Sequence, residues 1–556
     1  MRTVSAQLIE PGMTALHRIG ILKQSSVGRP LRRVAALILL LSPVFFLPPV
    51  PIDETRYLAV AWHMHSSGQW LVPWLDGAAY SDKAPLLFWL INLAWSVTGV
   101  HAWAVRLLEL LLGLSTLPLL GSLGRRLGAD DAATENAQWL WLGCMALAIY
   151  ADVIMFDLLL TFCTLTAWLA TTILAGRRWP AGVLLMGLAL GAGILAKGPV
   201  ALLVGGLPAL FASYWMPGFQ TRPAVFYLRL FIVLLASVLL ALAWAIPAAQ
   251  AGGPAYADAI FLRQTMGRVV HSFAHARPWW WYLPILPAMT LPWTLCLARH
   301  APIASASRST AKAIGRFAAT AVIPGFVVFS LISGKQPHYL LPLIPPLALF
   351  AGERIGSGRW RIVAWRTAPT FITVGLAVAL GLGWREAPDS AMGAVACGVL
   401  IVLLGVSYLV PRAQPPSASA VALGTLAAVM LCKLAFVLSI GPRYDVRAMA
   451  QHVAAAQRDG IPMLFAGSQY GLLTFAGRLT AAIPDTRDPA AVAAWVHAHP
   501  DGWVISDDND YQDMPAPLYK QAYFGRSLGI WPASAVAAEA DRKREIPTPA
   551  PNPGED

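Results

Sequence analysis

Long apolar runs broken by short polar motifs organise this chain. A window of about 20 residues picks out candidate spans near 34–50, 85–100, 103–123, 138–153, 157–175, 181–196, 199–214, 225–247, 282–298, 318–333, 340–353, 368–384, 391–410 and 420–438. If every run crossed a membrane, Arg125-Arg126 and Arg177-Arg178 would fall on the side opposite Arg32-Arg33, against the tendency of basic loops to stay on one face. The run 85–100, PLLFWLINLAWSVTGV, opens on proline and is rich in aromatics suited to a membrane surface, so it is expected to lie in the plane of the interface. About 13 transmembrane helices remain.

That arrangement sends Arg125-Arg126, Arg177-Arg178, Arg222, the run from Arg299 to Arg316 and the run from Arg354 to Arg366 to the cytoplasmic face. The motifs PIDETRY (51–57), YSDKAP (80–85), ADVIMFD (151–157), LAKGP (195–199), the 248–281 loop ending HARPWWW, and SGKQPHYLLP (333–342) go to the other. The first 33 residues are basic, and no small-residue cleavage site follows the first apolar run, so an uncleaved cytoplasmic start is expected.

Composition agrees with a polytopic membrane protein: 57% of 556 residues are hydrophobic, 13% are charged, and mean hydropathy is +0.58. The net charge of +12 sits in short clusters between apolar runs, which argues against a nucleic-acid partner and for membrane orientation. None of the five cysteines forms a CxxC or Cys/His metal pattern, so neither a structural disulfide nor a zinc site is expected.

Asp53 and Glu54 stand at the mouth of the first span, where carboxylates mark a functional site or a well-solvated loop. Arg56 is within reach of either. Asp82-Lys83 fits a surface ion pair, but Tyr80 and Pro85 give it a rigid amphipathic setting in which Lys83 can hold a phosphate. Asp152 and Asp157 lie around the end of an apolar hairpin, and Asp157 opens the next helix, where the dipole favours it. Lys197 precedes a Gly-Pro turn and suits either snorkelling or substrate binding. Lys335, His338 and Tyr339 place a cation, an imidazole and a phenol within five residues.

Between 248 and 281, Arg268, His271 and His275 interleave with apolar residues in a pattern that fits an amphipathic surface helix. Trp279-Trp280-Trp281 suits an interface belt. His271 and His275 are four apart and, with Asp82, are the metal candidates; no HExxH supports them. No cofactor is required by the pattern, and a divalent metal stays open.

Carboxylates beside several cations on the outer face of a lipid-buried protein suit transfer of a group from a lipid-linked phosphate: cations stabilise the departing phosphate, and a carboxylate positions or deprotonates the acceptor. A transporter of lipid-linked substrates is the alternative. Transporters place ionisable residues near the midplane of repeated halves; here the motifs sit at span ends and no repeat is visible.

PIDETRY, HSSGQWLVPWLDGAAYSDKAPLLFWL, FDLLLTF, LAKGP, RPWWWYLP and GKQPHYLLPLIPPLAL, in this order from residue 34 to about 353, together resemble the ArnT-like branch of the GT-C glycosyltransferases, related to protein O-mannosyltransferases. The resemblance implies a monomeric enzyme of the bacterial inner membrane. It would carry 4-amino-4-deoxy-L-arabinose from undecaprenyl phosphate to lipid A phosphate, or another lipid-linked sugar to a glycan or protein acceptor, amid membrane lipids on the periplasmic side. It implies catalytic roles for Asp53, Glu54 and Asp157. It places substrate binding on Asp82, Lys83, Lys335 and Tyr339, to which the motifs themselves add Arg56, Tyr80, Lys197, Arg268 and His338 as candidates. Where the family commonly has Glu-Lys-Pro, this chain has Asp82-Lys83-Ala84.

The organisation expected is a cytoplasmic segment 1–33, a transmembrane catalytic domain 34–440, a small α/β periplasmic domain 441–540 and a disordered tail 541–556. The fold class is an all-α polytopic, GT-C-like membrane protein with in-plane periplasmic helices and that C-terminal α/β domain. GPRYDVRAMAQHVAAAQRDG predicts an amphipathic helix stopped at Gly460, and IPMLFAG and GWVISDD predict strands.

Overall fold

The first apolar run belongs to one long helix, α1 (Glu10–Phe46). It leads through a proline-rich break into α2 (Asp53–Ser67), whose first turn carries Asp53 and Glu54 and whose end is closed by Gly68 at φ 71. The computed structural model describes residues 10–261, 276–299, 308–362, 417–439, 441–507, 516–523 and 526–545. The candidate spans 368–384 and 391–410 lie outside them.

A two-residue hairpin, β1 (Trp74–Leu75) and β2 (Ala78–Ala79), turns at Asp76-Gly77, both at positive φ, the conformation an Asp-Gly turn supplies. Next comes α3 (Leu86–Thr98). Its 13 residues extend about 20 Å, too short for a hydrocarbon core of about 30 Å, in keeping with a segment that does not cross. It buries Leu87, Phe88, Ile91 and Trp95 in a cluster shared with Tyr57, Leu58 and Phe156.

Six helices among the described residues are long and apolar enough to cross a membrane. They are α4 (Ala102–Arg126), α7 (Phe156–Leu174), α8 (Trp179–Lys197), and the helices Pro223–Phe261, Arg308–Leu331 and Ala418–Leu438. Between the first two lie α5 (Asp131–Leu142), capped by Asp130 accepting from the Ala133 amide, and the short α6 (Met145–Tyr150). Buried faces rank the spans: 83% of the apolar window of α7 is inside protein against 17% for Pro223–Phe261, so α7 is the central post and the latter faces lipid. Gly182 allows α8 to approach α7, because a Cβ there would lie 2.5 Å from the Leu174 nitrogen.

Some apolar runs are less regular than their hydropathy predicts. The run 138–153 is divided between α5 and α6, 199–214 is a π turn followed by two short helices, and 282–298 breaks at Leu291-Pro292. The stretch 248–261 continues the preceding helix with a kink at Gly253 (φ 81), where a surface loop was expected; residues 262–275 of that loop lie outside the described residues. Strand β3 (Leu297–Arg299) pairs antiparallel with β4 (Trp360–Ile362).

The C-terminal part is a three-layer α/β unit. Its five-stranded sheet has the order β6 (Asp485–Thr486), β5 (Met463–Ala466), β7 (Trp503–Asp507), β9 (Arg526–Pro532), β8 (Tyr519–Tyr523), with β6-β5-β7 parallel and β7-β9-β8 antiparallel. Alternation puts Met463 and Phe465 against the helix Arg447–Arg458, and Leu464 and Ala466 against the helix Pro489–Ala498. Gly460 follows the first of these helices at φ 74. The last helix, Ala533–Glu545, is ordered through 541–545, which were expected to be disordered; 546–556 lie outside the described residues.

This unit docks on α2 and the hairpin. Asp76 accepts hydrogen bonds from the Gly471 amide (2.9 Å) and the Thr474 hydroxyl (3.3 Å). Trp62 donates to the Leu479 carbonyl (2.8 Å), and Trp95 stacks on Phe475 at 5.5 Å. Gly471 fits because a Cβ would sit 2.4 Å from that of Ala59.

Beneath α2, Glu54 is buried and spent on structure. Its Oε2 accepts from Arg106 and from the Val50 amide, each at 2.7 Å, and its Oε1 from the Ile154 amide at 2.9 Å. Arg106 also donates to the carbonyls of Asp152 (2.7 Å) and Pro48 (2.8 Å), and the Asp152 carboxylate pairs with Lys433.

Glu54→Gln is expected to lower stability by about 3–5 kcal/mol, because it strands a buried guanidinium. Replacing Glu54 and Arg106 together by apolar residues should cost less than the sum of the single changes, as thermal unfolding of the purified protein in detergent would show.

Asp76 gives a pH-dependent expectation. Burial pushes its carboxyl up to about 6 from an ordinary 3.8, with Asp485 adding to the rise, while the Gly471 and Thr474 bonds and Arg56 oppose it. Folding therefore favours the protonated form, and the stabilisation is full below the unfolded value and lost as pH rises through about 6. Asp76→Asn tolerates the positive φ. It should raise Tm relative to wild type at about pH 8, with the difference shrinking towards pH 4.

Candidate functional site

Helices α7 and α8 run antiparallel, so the first turn of one meets the last turn of the other. Asp157, at the start of α7, is buried and ion-paired with Lys197, at the end of α8. Gly198 at φ 75 and Pro199 end α8 there, leaving the lysine at its tip. Lys197 also lies over the Tyr339 ring at 4.3 Å, and His338 Nε2 is 3.8 Å from Asp157 Oδ2. His338 and Tyr339 come from a 3-10 turn, Pro337–Leu343, that packs on α7.

Burial pushes the His338 imidazole down to about 4; Lys197 and Lys83 act in the same direction and Asp157 and Asp53 oppose it. It is a neutral side chain at pH 7. The same four charges place Asp53, Lys83, Asp157 and Lys197 within electrostatic reach of one imidazole.

From α2, Asp53 is half-buried and accepts a hydrogen bond from the Tyr57 hydroxyl at 3.0 Å. Tyr57 packs edge-on to Phe156, the residue before Asp157, with centroids 5.0 Å apart. Lys83 lies over both rings, at 5.9 Å and 6.0 Å. Arg56 faces Tyr80 and Asp53 on the other flank of α2, and its charge counters the burial that drives the Tyr80 phenol upward. Two carboxylates, two lysines, a neutral histidine and three phenols thus line one polar region at the ends of membrane-spanning helices.

Other sequence candidates are placed differently. Glu54 faces away from this region into its ion pair with Arg106. Lys335 is buried, and its ammonium donates to the carbonyls of Arg277 (2.9 Å), Ile332 (2.5 Å) and Ser333 (3.5 Å). It closes the turn that pairs Ala276 with Gly334. Asp82 is exposed. Arg268, His271 and His275 lie outside the described residues. Among the described residues no group of three or more His, Cys, Asp or Glu side chains gathers as a metal ion would need. Trp279 and Trp280 are exposed, as an interface belt requires.

Sequence reasoning passed over Arg106, Glu109 and Lys433. The signal was present, since each interrupts an apolar run, and ionisable residues there need partners. Tyr57 and Phe156, which carry Lys83, leave no such mark.

The fold and the polar region at its helix ends define a multi-pass membrane protein. Its fold is similar to that of ArnT from Cupriavidus metallidurans in the apo state, at a TM-score of 0.68 and 18% identity, covering 91% of this chain and 98% of that one. The same protein bound to undecaprenyl phosphate matches at 0.67. A profile of the dolichyl-phosphate-mannose-protein mannosyltransferase family matches residues 38–251.

Among curated proteins, the undecaprenyl phosphate-alpha-4-amino-4-deoxy-L-arabinose arabinosyl transferase 1 of Pseudomonas fluorescens is 30% identical over 345 residues, 59% of this chain. The corresponding transferase of Pseudomonas aeruginosa is 30% identical over 336 residues. The chain spans 61% of the first relative's length and 60% of the second's. The resemblance read from the motifs is borne out.

Proposed function

We propose that the chain is a glycosyltransferase that carries an aminosugar, 4-amino-4-deoxy-L-arabinose, from undecaprenyl phosphate to a phosphate of lipid A. In this reading it acts as a monomer in the bacterial inner membrane, with the polar region and the C-terminal α/β domain on the periplasmic side. The observation that carries the reading is the gathering of Asp53, Lys83, Asp157 and Lys197 around the neutral His338. The relatives' activity and the undecaprenyl phosphate held by the matching ArnT structure support the donor.

In the reaction an oxygen of the acceptor phosphate attacks the anomeric carbon and forms the new C–O bond. The bond from that carbon to the prenyl phosphate oxygen breaks, and its electron pair leaves on the phosphate. No proton need move, because the attacking phosphate is already ionised. Lys83 and Lys197 meet the charge that grows on the leaving oxygen, with Tyr339 beside them. Asp53 and Asp157 face the positive charge developing at the anomeric carbon and hold the sugar ammonium. Attack and departure on opposite sides of that carbon invert its configuration. Were the acceptor a hydroxyl group of a glycan or protein, Asp53 would be the general base.

Glu54 and Lys335 serve this site as positioning residues, one beneath α2 and one behind His338. Incubating purified protein with undecaprenyl-phosphate aminoarabinose and lipid A should raise the acceptor's mass by one sugar; donor moved across a membrane without a mass change would establish a transporter instead. Asp53→Asn is expected to abolish transfer with Tm retained, and wild-type turnover by it would remove Asp53 from the site. Lys83→Ala should raise the donor KM about tenfold, for one lost charge-assisted phosphate contact. Lys335→Met should chiefly lower Tm.

A further inference from the structure

Half-buried Arg56 differs from three other cations near the site. Arg106 is neutralised by Glu54, Lys197 by Asp157 and Lys433 by Asp152. Among the described residues no carboxylate lies within 4.0 Å of the Arg56 guanidinium, and its Nε is buried without a hydrogen-bond partner. What covers it is an aromatic face: Arg56 Cζ lies 4.8 Å from the centroid of Tyr470, a residue of the C-terminal domain. An aromatic ring holds a guanidinium in place without cancelling its charge. Asp53 and Tyr80 act on its charge only from beyond ion-pair distance or as a neutral phenol; a partly desolvated cation without a carboxylate at contact distance is costly, and its fork geometry suits a phosphate.

Tyr470 is held there firmly. It is a non-glycine residue at φ 47, a conformation that persists where surrounding contacts impose it. The next amide, from Gly471, is bound by Asp76, and the Tyr470 carbonyl accepts from the Thr55 hydroxyl at 3.5 Å. A second cation, Arg487, donates to the Tyr470 hydroxyl at 3.5 Å and is exposed. Arg56 senses Asp53 and Tyr80, whereas His338 senses Asp53 with Lys83, Lys197 and Asp157. Asp53 is common to both groups.

We propose that Arg56, Tyr470 and Arg487 form a second anion site, shared between α2 and the C-terminal domain, that receives the phosphate of the acceptor. One phosphate then leaves towards Lys83 and Lys197 while the other arrives beside Arg56, with Asp53 between them. The inference rests on the transfer reading for the identity of the anion, lipid A phosphate, and adds that the C-terminal domain selects it.

Two measurements test it on the full chain in detergent. Direct binding of purified lipid A, without donor, should weaken about fivefold in Tyr470→Ala, the loss of one cation–aromatic contact, and similarly in Arg487→Gln. Tyr470→Phe keeps the ring and should retain most of the affinity. Binding of undecaprenyl phosphate should be unchanged in all three, and Tm should show that each is folded. In turnover, Tyr470→Ala and Arg487→Gln should raise the KM for lipid A while leaving the donor KM and kcat near wild type.

Unchanged lipid A affinity in both variants, or a wild-type protein that does not bind lipid A, overturns the inference. Lipid A binding that depends on Tyr470 in a protein that transfers no sugar would uphold this site and refute the transferase reading instead.

Discussion

The ion pair between Glu54 and Arg106 joins three segments that are far apart in sequence. Through Arg106 the start of α4 grips the Pro48 carbonyl after α1 and the Asp152 carbonyl before α7; through Glu54 the start of α2 grips the amides of Val50 and Ile154. Lys433, from the helix Ala418–Ser439, extends the network through the Asp152 carboxylate. Such a set is expensive to bury, and it holds because every charge meets an opposite one and most remaining donors meet carbonyls. Its consequence is positional. Asp53 is next to Glu54, and Asp157 is three residues beyond Ile154, so one network fixes the backbones that carry both site carboxylates.

The site inherits a low-dielectric setting from the helix ends around it, where charge interactions are stronger than in water. Asp157 is ion-paired with Lys197, and burial and two lysines oppose protonation of His338. A neutral imidazole beside a lysine pair does not dilute the cationic charge available to a departing phosphate with a carboxylate's negative one. The rings of Phe156 and Tyr57 lie beside Lys83, and that of Tyr339 beside Lys197.

Much of this was legible in the sequence because polar residues stand out in an apolar chain. PIDETRY, SDKAP, FDLLLTF, LAKGP and GKQPHY mark positions where a span ends, and span ends on one side converge. Hydropathy could not show that 138–153 and 282–298 break into short helices, since a run's mean apolarity does not record the prolines, glycines and caps that divide it. Nor could it separate Asp53 from Glu54: adjacent residues on a helix point about 100° apart, and which of them meets Arg106 depends on α4. Lys335 shows the same limit. Its motif advertises a cation, while in the fold three carbonyls occupy the ammonium.

The two groups proposed to meet phosphates also differ in where they sit along the chain. Asp53, Lys83, Asp157 and Lys197 all fall within residues 38–251, the stretch matched by the dolichyl-phosphate-mannose-protein mannosyltransferase profile. Tyr470 and Arg487 fall beyond it, in a domain that the membrane does not constrain. Handling a prenyl phosphate poses the same problem for every enzyme of such a family, so its cations belong on the helices that define the fold. Acceptors differ, and a residue that selects among them is best carried by a separate domain that can change without disturbing the Glu54–Arg106 network. Asp76 and Gly471 fasten that domain to the β1–β2 hairpin one residue from Tyr470, so the contact that docks the domain also sets where the ring over Arg56 lies.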